Sequence, residues 1–169
     1  ASIQDEFLLG PSLLVAPLYR PGTQRRVYLP EGNWVDIIDG SHYEGPVWIE
    51  AQAPVSHLPV YVAEGAIIPM KLDGELNAAA QISDRSVRAI QVMPPARGSC
   101  GFDWRRKGAK TALRCGRDGK VVTIRHSGSP LPPGTIVRVE CGPPETVSVD
   151  GDKVKELKGG AQLTTNNQM

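Results

Sequence analysis

The sequence lacks the features that would place it across a membrane, on nucleic acid or around a metal ion. Its 169 residues include three cysteines and nine aromatic residues, and its net charge is +1. The apolar run from Leu13 to Leu18 has six residues, whereas a membrane-spanning helix needs roughly 20. Nearly balanced charge gives no overall field to gather nucleic acid or an anionic membrane surface. We therefore predict neither a membrane partner nor a nucleic-acid partner.

Catalytic and metal-binding patterns are also missing. Cys100, Cys115 and Cys141 are odd in number and have no metal-ligand spacing, so at most one pair could bridge, and we predict small, unbridged core residues. No histidine has a serine or cysteine partner at a recognisable spacing, which leaves a nucleophilic triad without support. The histidines are His42, His57 and His126. There is no glycine-rich phosphate loop before a helix. We predict no catalytic residue, no metal and no cofactor in this chain.

Turn-forming residues are abundant where helical patterns are scarce. The 18 glycines and 15 prolines make up about a fifth of the chain, above an average usage of roughly 12%. Runs of β-branched residues with period-two alternation recur at about 10-residue spacing, which is typical of a sandwich or barrel. The predicted strands are Leu13–Leu18, Arg25–Leu29, Trp34–Ile38, Val47–Glu50, His57–Val62, Val87–Met93, Thr111–Cys115, Lys120–His126, Thr135–Cys141 and Thr146–Val149. Only Glu75 to Gln81 carries a helical signal, of a turn or two.

The predicted strands fall into two groups along the chain. The stretch from Met70 to Ser86 has the composition of a connector, so we predict one β unit in residues 1–80 and a second in residues 81–158. Residues 159–169 have too little apolar content to pack and are predicted to be a disordered tail. No stretch resembles a signal peptide, and the first residue is Ala rather than Met, as we expect of a chain cut from a longer protein. The predicted fold is all-β, with two consecutive antiparallel β-sandwich units and little helix.

Two carboxylates beside a tryptophan, in NWVDIIDG, imitate a glycosidase pair. Glycoside hydrolysis needs one carboxyl to protonate the leaving oxygen and another to attack or to activate water, about 5 to 9.5 Å away. On a strand, Asp36 and Asp39 point to opposite faces and stand about 10 Å apart. Asp39 also precedes Gly40, a pair that suits a hairpin turn. We therefore predict structural roles for both aspartates.

Tryptophans are the remaining candidates for a binding role. Sugar rings stack on exposed aromatic faces, but a tryptophan in a chain with so few aromatics more often packs in a core or an interface. Of Trp34, Trp48 and Trp104, we retain Trp48 and Trp104 as speculative carbohydrate contacts. The basic segment WRRKG, Trp104 to Gly108, is predicted to be a solvated loop.

Three motifs in the first half of the chain point to a family. They are DEFLLGPSLLVAPL from Asp5, YLPEGNWVD from Tyr28 and PVYVAEGAIIP from Pro59, in that order. This region closely resembles the segment that follows the catalytic (β/α)8 barrel in glycoside hydrolase family 31, which includes α-glucosidases and α-xylosidases. The resemblance implies that residues 1–80 are the end-of-barrel junction and the proximal C-terminal β-sandwich.

The second half resembles the same family more loosely. Family members continue into a distal sandwich through a strand ending Y-P and a segment like S-F-T-L-Y-E-D-D-G, where this chain has Val92-Met93-Pro94 and Ser99 to Gly108. The family segment is acidic, whereas Trp104 to Gly108 is basic. The resemblance implies that residues 81–158 are the distal β-sandwich.

The resemblance implies where the chemistry of the parent enzyme lies. The nucleophile of the family lies in a W-x-D-M-x-E sequence on a barrel strand, and the acid/base is a second barrel aspartate. Trp34-Val35-Asp36 instead corresponds to the structural W-x-D of the proximal domain. Nothing in the chain matches the barrel, so the catalytic carboxylates are expected in a region outside it.

These readings give one leading hypothesis. The chain is expected to be a non-catalytic C-terminal fragment of a family 31 α-glycosidase, whose retaining reaction needs no cofactor. Its expected partner is the catalytic barrel, and α-linked glycans are reached only through the parent. Because apolar surface at the junction strand Leu13–Leu18 would be left exposed, we also expect self-association or modest stability.

Two alternatives remain open. One is a carbohydrate-binding or adhesion module that works alone. The other is that a separate chain supplies the rest of the enzyme.

Overall fold

The chain folds into β-strands joined by turns. The computed structural model describes residues 5–20, 22–52, 54, 58–72, 87–132, 134–140, 146–149, 152–153 and 161–164, and none of these residues is helical. The strands are β1 (Phe7–Leu9), β2 (Leu13–Val15), β3 (Gln24–Asp36), β4 (His42–Gln52), β5 (Val60–Ala63), β6 (Ile67–Leu72), β7 (Val87–Val92), β8 (Gly98–Arg106), β9 (Ala109–Asp118), β10 (Val121–Gly128), β11 (Ile136–Val139), β12 (Thr146–Val149), β13 (Asp152–Lys153) and β14 (Ala161–Thr164). They form two compact units, Ala1–Glu64 and Gly65–Met169.

The first unit is built on one antiparallel sheet of five strands. Its strand order is β1-β2-β5-β3-β4, and every pair in it is antiparallel. The core of the unit is a cluster of buried side chains from β2 and the residue after it, β3, β4 and β5. These are Leu14, Ala16, Val27, Leu29, Trp34, Ala51 and Tyr61.

The long hairpin of β3 and β4 joins elements that the sequence pattern separates. The predicted strand Arg25–Leu29 and the first three residues of the predicted Trp34–Ile38 are two parts of β3, which pairs with β4 along most of its length. The last two residues of the second prediction lie in the turn that follows. The register shifts between Leu29 and Gly32, as at a β-bulge, where a strand bends and twists more strongly. The bend lets buried side chains from both halves of β3 reach the same core.

The apolar strand at the start of the chain is covered by strands of its own sheet. β2 is shorter than the predicted Leu13–Leu18 and lies between β1 and β5, with Leu14 paired to Leu8 on one side and Tyr61 on the other. Leu14 is 2% exposed. The expectation that this strand needs cover from outside the chain is therefore wrong for β2. The exposed position belongs to β1, which is the edge of the sheet.

The second unit is a sandwich of two sheets. One has five strands in the order β13-β12-β10-β9-β8, and the other has four in the order β14-β11-β7-β6. Side chains from both sheets form its core, which consists of Ile67, Ile90, Val92, Leu113, Cys115, Val122, Ile124, Leu131, Val137 and Val139. Alternation along β9 explains this, because Thr111, Leu113 and Cys115 are buried while the residues between them face outward.

The predicted all-β class with two consecutive units is confirmed. The second unit differs from the predicted antiparallel arrangement in two of its strand pairs. Most of its pairs are antiparallel, but β10 pairs with β12 and β11 pairs with β7 in parallel. Both parallel pairs join strands that are distant in sequence. Mixed pairing of this kind is common in sheets closed by late strands.

Several predictions fall on residues that the structure does not describe. These are the helical turns at Glu75 to Gln81, the boundary between residues 80 and 81, His57, Cys141 and most of the connector from Met70 to Ser86. The described strands divide into units between Glu64 and Gly65, since β6 pairs with β7 within the second unit. In the predicted tail, Ala161–Thr164 forms β14 and pairs with β11.

Candidate functional site

A buried arginine fixes the start of the chain to the first sheet. The side chain of Arg25, on β3, is 5% exposed, and its Nη2 lies 3.4 Å from the Asp5 carboxylate and 3.5 Å from the Glu6 carboxylate. Its Nη1 donates hydrogen bonds to the carbonyls of Asp5 and Pro17. We call Asp5, Glu6 and Arg25 the Arg25 cluster. It ties residues just before β1, and those after β2, to the middle of the unit.

Glu6 is the most enclosed carboxylate of this cluster. Its side chain is 6% exposed, and it accepts hydrogen bonds from the backbone N–H of Tyr28 at 3.2 and 3.3 Å. Burial raises the pKa of Glu6 above its ordinary value, while the Tyr28 N–H and the Arg25 guanidinium act in the opposite direction. The carboxylate therefore carries a net desolvation cost in the folded chain.

The strand that follows this cluster exposes an apolar surface. Phe7, Leu8 and Leu9 make up β1 and are 52%, 54% and 59% exposed. β1 pairs with β2 on one side and is the last strand of its sheet on the other. Successive strand residues point to opposite faces, so both faces of β1 and its free edge present apolar groups. We call Phe7–Leu9 the apolar edge.

The two aspartates that imitate a glycosidase pair lie around the turn between β3 and β4, with Asp36 as the last residue of β3 and Asp39 within the turn. Asp36 Oδ1 accepts a hydrogen bond from the N–H of Ile38, and Asp39 Oδ1 accepts one from the N–H of Ser41, each at 2.8 Å. Gly40 has a φ of 74°, a conformation that glycine adopts without steric cost. The carboxylates hold the backbone of the turn, as predicted for Asp39 and Gly40.

Trp48 lies on the exposed side of the first sheet. It is 49% exposed, its ring is tilted against Tyr28 at a centroid distance of 5.2 Å, and the Arg26 guanidinium lies 4.8 Å from its centroid. The ring borders a cleft of about 310 Å³ that Tyr19 and Arg20 also line. We call this the Trp48 cleft. One ring face is therefore covered by a cation, and the ring remains open to solvent elsewhere.

The other two tryptophans pack inward. Trp34 is 5% exposed, and its indole N–H donates a hydrogen bond to the Pro30 carbonyl at 2.9 Å. Trp104 is partly buried against the core of the second unit, and the Arg106 guanidinium lies 5.4 Å from its centroid. Trp48 and Trp104, the speculative carbohydrate contacts, thus belong to different units and have different exposures.

The basic segment Trp104 to Gly108 is the end of a hairpin. It includes the last residues of β8 and a turn in which Lys107 has a φ of 40° and Gly108 a φ of 81°. Two consecutive residues with positive φ are typical of a tight type I′ hairpin turn. The predicted loop is therefore wrong for Trp104 to Arg106, which lie in the strand, and the exposure of Arg105 and Arg106 agrees with the predicted solvation of the charges.

The remaining candidate catalytic and metal-binding side chains do not form a cluster in the described part of the chain. His42 begins β4 and His126 lies on β10, and both are exposed. Among the described residues, no three His, Cys, Asp or Glu side chains are grouped as metal ligands would be. A search of the same residues finds no helix with the length and hydropathy to cross a membrane.

The Arg25 cluster was not predicted, although the sequence carries a signal for it. In Arg25-Arg26-Val27-Tyr28-Leu29, period two places Arg25 on the same face as Val27 and Leu29. Both of those residues are fully buried. An inward-facing arginine needs a carboxylate partner, and the partners lie about 20 residues earlier, where no local pattern indicates them.

Comparison with known proteins identifies the first part of the chain. Residues 1–68 match the family model described as the glycosyl hydrolase family 31 C-terminal domain. The chain is 36% identical over 84 residues to alpha-glucosidase 2 of Bacillus thermoamyloliquefaciens, a match that covers 49% of this chain and 10% of that protein. It is 30% identical over 107 residues to an isomaltosyltransferase of Sporosarcina globispora, a match that covers 60% of this chain and 10% of that protein. The resemblance to family 31 is confirmed.

Solved structures extend the likeness to the second unit. A GH31 dextranase from Flavobacterium johnsoniae, solved in complex with isomaltotriose, matches 92% of this chain and 21% of its own with a TM-score of 0.70 at 27% identity. The fold likeness therefore includes strands beyond the family model. The chain spans about a tenth of the length of the curated relatives described above.

Proposed function

From the family 31 C-terminal domain in residues 1–68, we propose that this chain is the non-catalytic C-terminal part of an α-glycosidase. Its role is to pack against the catalytic barrel and stabilise it. The parent reaction is retaining hydrolysis of α-glycosidic bonds, by carboxylates that lie outside this chain. The relatives include an enzyme named as an α-glucosidase, which supports this reaction class.

One observation carries the proposal, namely the apolar edge. Three consecutive apolar residues, each more than half exposed, form a strand that has a neighbouring strand on one side only among the described residues. Natural proteins usually protect such edges with charges, proline or a covering element. The matched region covers about a tenth of the length of these relatives, so the proposal makes the barrel region the covering element.

The Arg25 cluster supports the same role. It holds the residues just before β1 in a fixed place through backbone and carboxylate contacts to a buried guanidinium. A segment anchored in this way presents the apolar edge in one conformation, which lowers the entropic cost of docking. The cluster is thus proposed to preorganise the surface that meets the barrel.

The absence of catalysis is tested by assaying the isolated chain. With p-nitrophenyl α-glucoside as substrate, we expect hydrolysis at the background rate, because Asp36 and Asp39 hold turn hydrogen bonds. Activity in the purified chain that disappears in Asp36→Asn would overturn the non-catalytic role. Asp103→Asn, which removes an exposed carboxylate of the second unit, is the control for general effects of a lost charge.

The Trp48 cleft favours a second candidate function, a glycan contact that works in the chain alone. An exposed indole beside guanidinium groups offers stacking together with hydrogen-bond donors. The test is a titration with maltose, isomaltose and xylosyl oligosaccharides followed by tryptophan fluorescence. A saturable change that Trp48→Ala abolishes and Trp104→Ala preserves would establish this function. Tryptophan fluorescence that does not change with any of these oligosaccharides would contradict the glycan contact and leave packing against the barrel as the proposed function.

A further inference from the structure

Two cysteines of the second unit lie side by side on adjacent strands. Cys100 on β8 is directly opposite Cys115 on β9 in the antiparallel register. Both side chains face the core of the sandwich, since Cys115 belongs to that core and Cys100 packs against it. Neither forms a disulfide. The sequence spacing of 15 residues gives no hint of this pairing, which comes from the β8–β9 hairpin.

The backbone geometry of this pair suits a disulfide. Directly opposite residues of an antiparallel pair have Cα atoms about 4.5 to 5.5 Å apart, and disulfides span Cα distances of about 4.4 to 6.8 Å. The thiols already touch, because the Cys115 side chain is hydrogen-bonded to the Cys100 sulfur. Bond formation therefore needs only a small approach of the two strands.

The two thiols differ in access. Cys115 is fully buried, whereas Cys100 is partly exposed. A small reagent can therefore reach Cys100 first.

The electrostatics give Cys100 the attacking role. The hydrogen bond from the Cys115 side chain lowers the pKa of the Cys100 thiol, and this outweighs the effect of its partial burial. A thiolate, rather than a thiol, attacks a disulfide. Cys115 is positioned to resolve the product, because it lies against the sulfur that would be modified.

We propose that Cys100 and Cys115 form a dithiol site that reacts with small-molecule disulfides and closes reversibly into a cross-strand disulfide. The Cys100 thiolate attacks one sulfur of the reagent, whose S–S bond breaks and releases one thiolate. Cys115 then loses its proton and attacks the Cys100 sulfur, which displaces the second thiolate. The released thiolates take up the two cysteine protons. Two cysteine thiols are oxidised, and one small disulfide is reduced to two thiols.

The test is a peptide map of the full chain treated with glutathione disulfide. Remaining thiols are blocked by alkylation before the protein is unfolded and digested with trypsin. Trypsin separates the two cysteines, because Arg105, Lys110 and Arg114 lie between them. We expect a disulfide-linked peptide pair containing Cys100 and Cys115, with a mass lower by two hydrogen atoms than the sum of the two reduced peptides. Treatment with dithiothreitol should restore the reduced peptides.

Variants separate this site from general thiol reactivity. Cys141→Ser should retain the linked pair, and Cys100→Ser should remove it. Cys115→Ala should leave Cys100 as a mixed disulfide with glutathione that persists, because the resolving thiol is gone. This mixed disulfide should form more slowly than in the wild type, because the hydrogen bond that lowers the pKa of Cys100 is also gone. The proposal fails if the wild-type chain links Cys141 instead, if the mixed disulfide on Cys100 persists in wild type, or if linkage appears only after unfolding in urea. The wild-type map decides the question even if a variant does not fold.

Discussion

The Arg25 cluster concentrates three ionised groups where the first sheet is nearly closed to water. The guanidinium of Arg25 and the carboxylate of Glu6 are each almost fully buried, and the Asp5 carboxylate is partly exposed. Removing one partner of such a pair leaves a buried charge without compensation, which costs more than the pair itself contributes. The cluster is therefore the residue-scale feature whose loss should affect the fold most.

Arg25→Met should lower the free energy of unfolding by about 3 to 5 kcal/mol, because Glu6 would lose its buried counter-charge. The matched control is Arg26→Met on the same strand, whose ion pair with Glu50 joins side chains 64% and 65% exposed. Exposed pairs contribute about 0 to 1 kcal/mol. Urea unfolding, monitored by circular dichroism, measures the free energy of unfolding of both variants. Equal losses in the two variants would contradict the buried role of Arg25.

Glu6→Gln should change how stability depends on pH. Because burial raises the folded-state pKa of Glu6, the folded state binds a proton more tightly than the unfolded state. Stability from this residue is thus present below the unfolded pKa and is lost as pH rises through the folded pKa. The difference in unfolding free energy, wild type minus Glu6→Gln, should fall as pH rises above 4.5. Urea midpoints across a pH series measure it, and a difference that grows with pH would refute the assignment.

At the residue scale, the sequence predicts individual roles where the cause is local. Asp39 and Gly40 were predicted as a turn because the backbone conformation they favour is set within the turn itself. Arg25 and the pair of Cys100 with Cys115 were not predicted. Their partners lie 15 to 20 residues away in the sequence and are brought together by the fold, which no local pattern encodes.

The β3–β4 hairpin is the element that organises the first unit. Its register shift between Leu29 and Gly32 lies opposite Gly45 on β4. A side chain at position 45 would run into the backbone of β3, since a Cβ there would lie 2.7 Å from the Pro30 carbonyl carbon and 2.9 Å from the Leu29 oxygen. The close approach of the two strands therefore requires glycine at this position.

Gly45→Ala should destabilise the chain by about 1 to 3 kcal/mol or more, because backbone atoms cannot move aside as flexible side chains do. Gly116→Ala is the matched control in another strand, where the nearest atom to an added Cβ is 3.7 Å away. Its effect should stay within about 0.5 kcal/mol. Thermal unfolding measures both variants. A milder effect for Gly45→Ala than for Gly116→Ala would show that the hairpin tolerates a wider spacing.

At the element scale, the sequence predicts most strands and misses β1, β6, β8, β13 and β14. β1 has three residues, too few for a period. β6 contains Pro69, which usually argues against a strand interior. β8 contains two glycines and many polar residues, although Cys100, Phe102 and Trp104 alternate inward. That alternation was available in the sequence, and the low strand propensity of its neighbours concealed it.

At the scale of the whole molecule, the apolar edge is the surface that we propose packs against the catalytic barrel. Left exposed, it should drive association of the isolated chain. Light scattering should show a mean mass that rises with protein concentration for the wild type. Leu8→Glu should suppress the rise, because a charge on an edge strand opposes edge-to-edge pairing. Ile38→Glu, at an exposed apolar position in the β3–β4 turn, should not suppress it. A wild-type chain that stays monomeric at every concentration would contradict the expectation that the apolar edge drives association.

The measurement that tests the packing role most directly uses a chimera of the Bacillus thermoamyloliquefaciens alpha-glucosidase 2 in which this chain replaces the matching region. We compare the thermal unfolding temperature of the chimera with and without Leu8→Glu, and that of the isolated chain with the same change at a protein concentration at which both forms are monomeric. The account predicts that Leu8→Glu lowers the unfolding temperature of the chimera but not that of the isolated chain, where Leu8 is already 54% exposed. Ile38→Glu should leave both unchanged. A chimera as insensitive to Leu8→Glu as to Ile38→Glu would contradict the account.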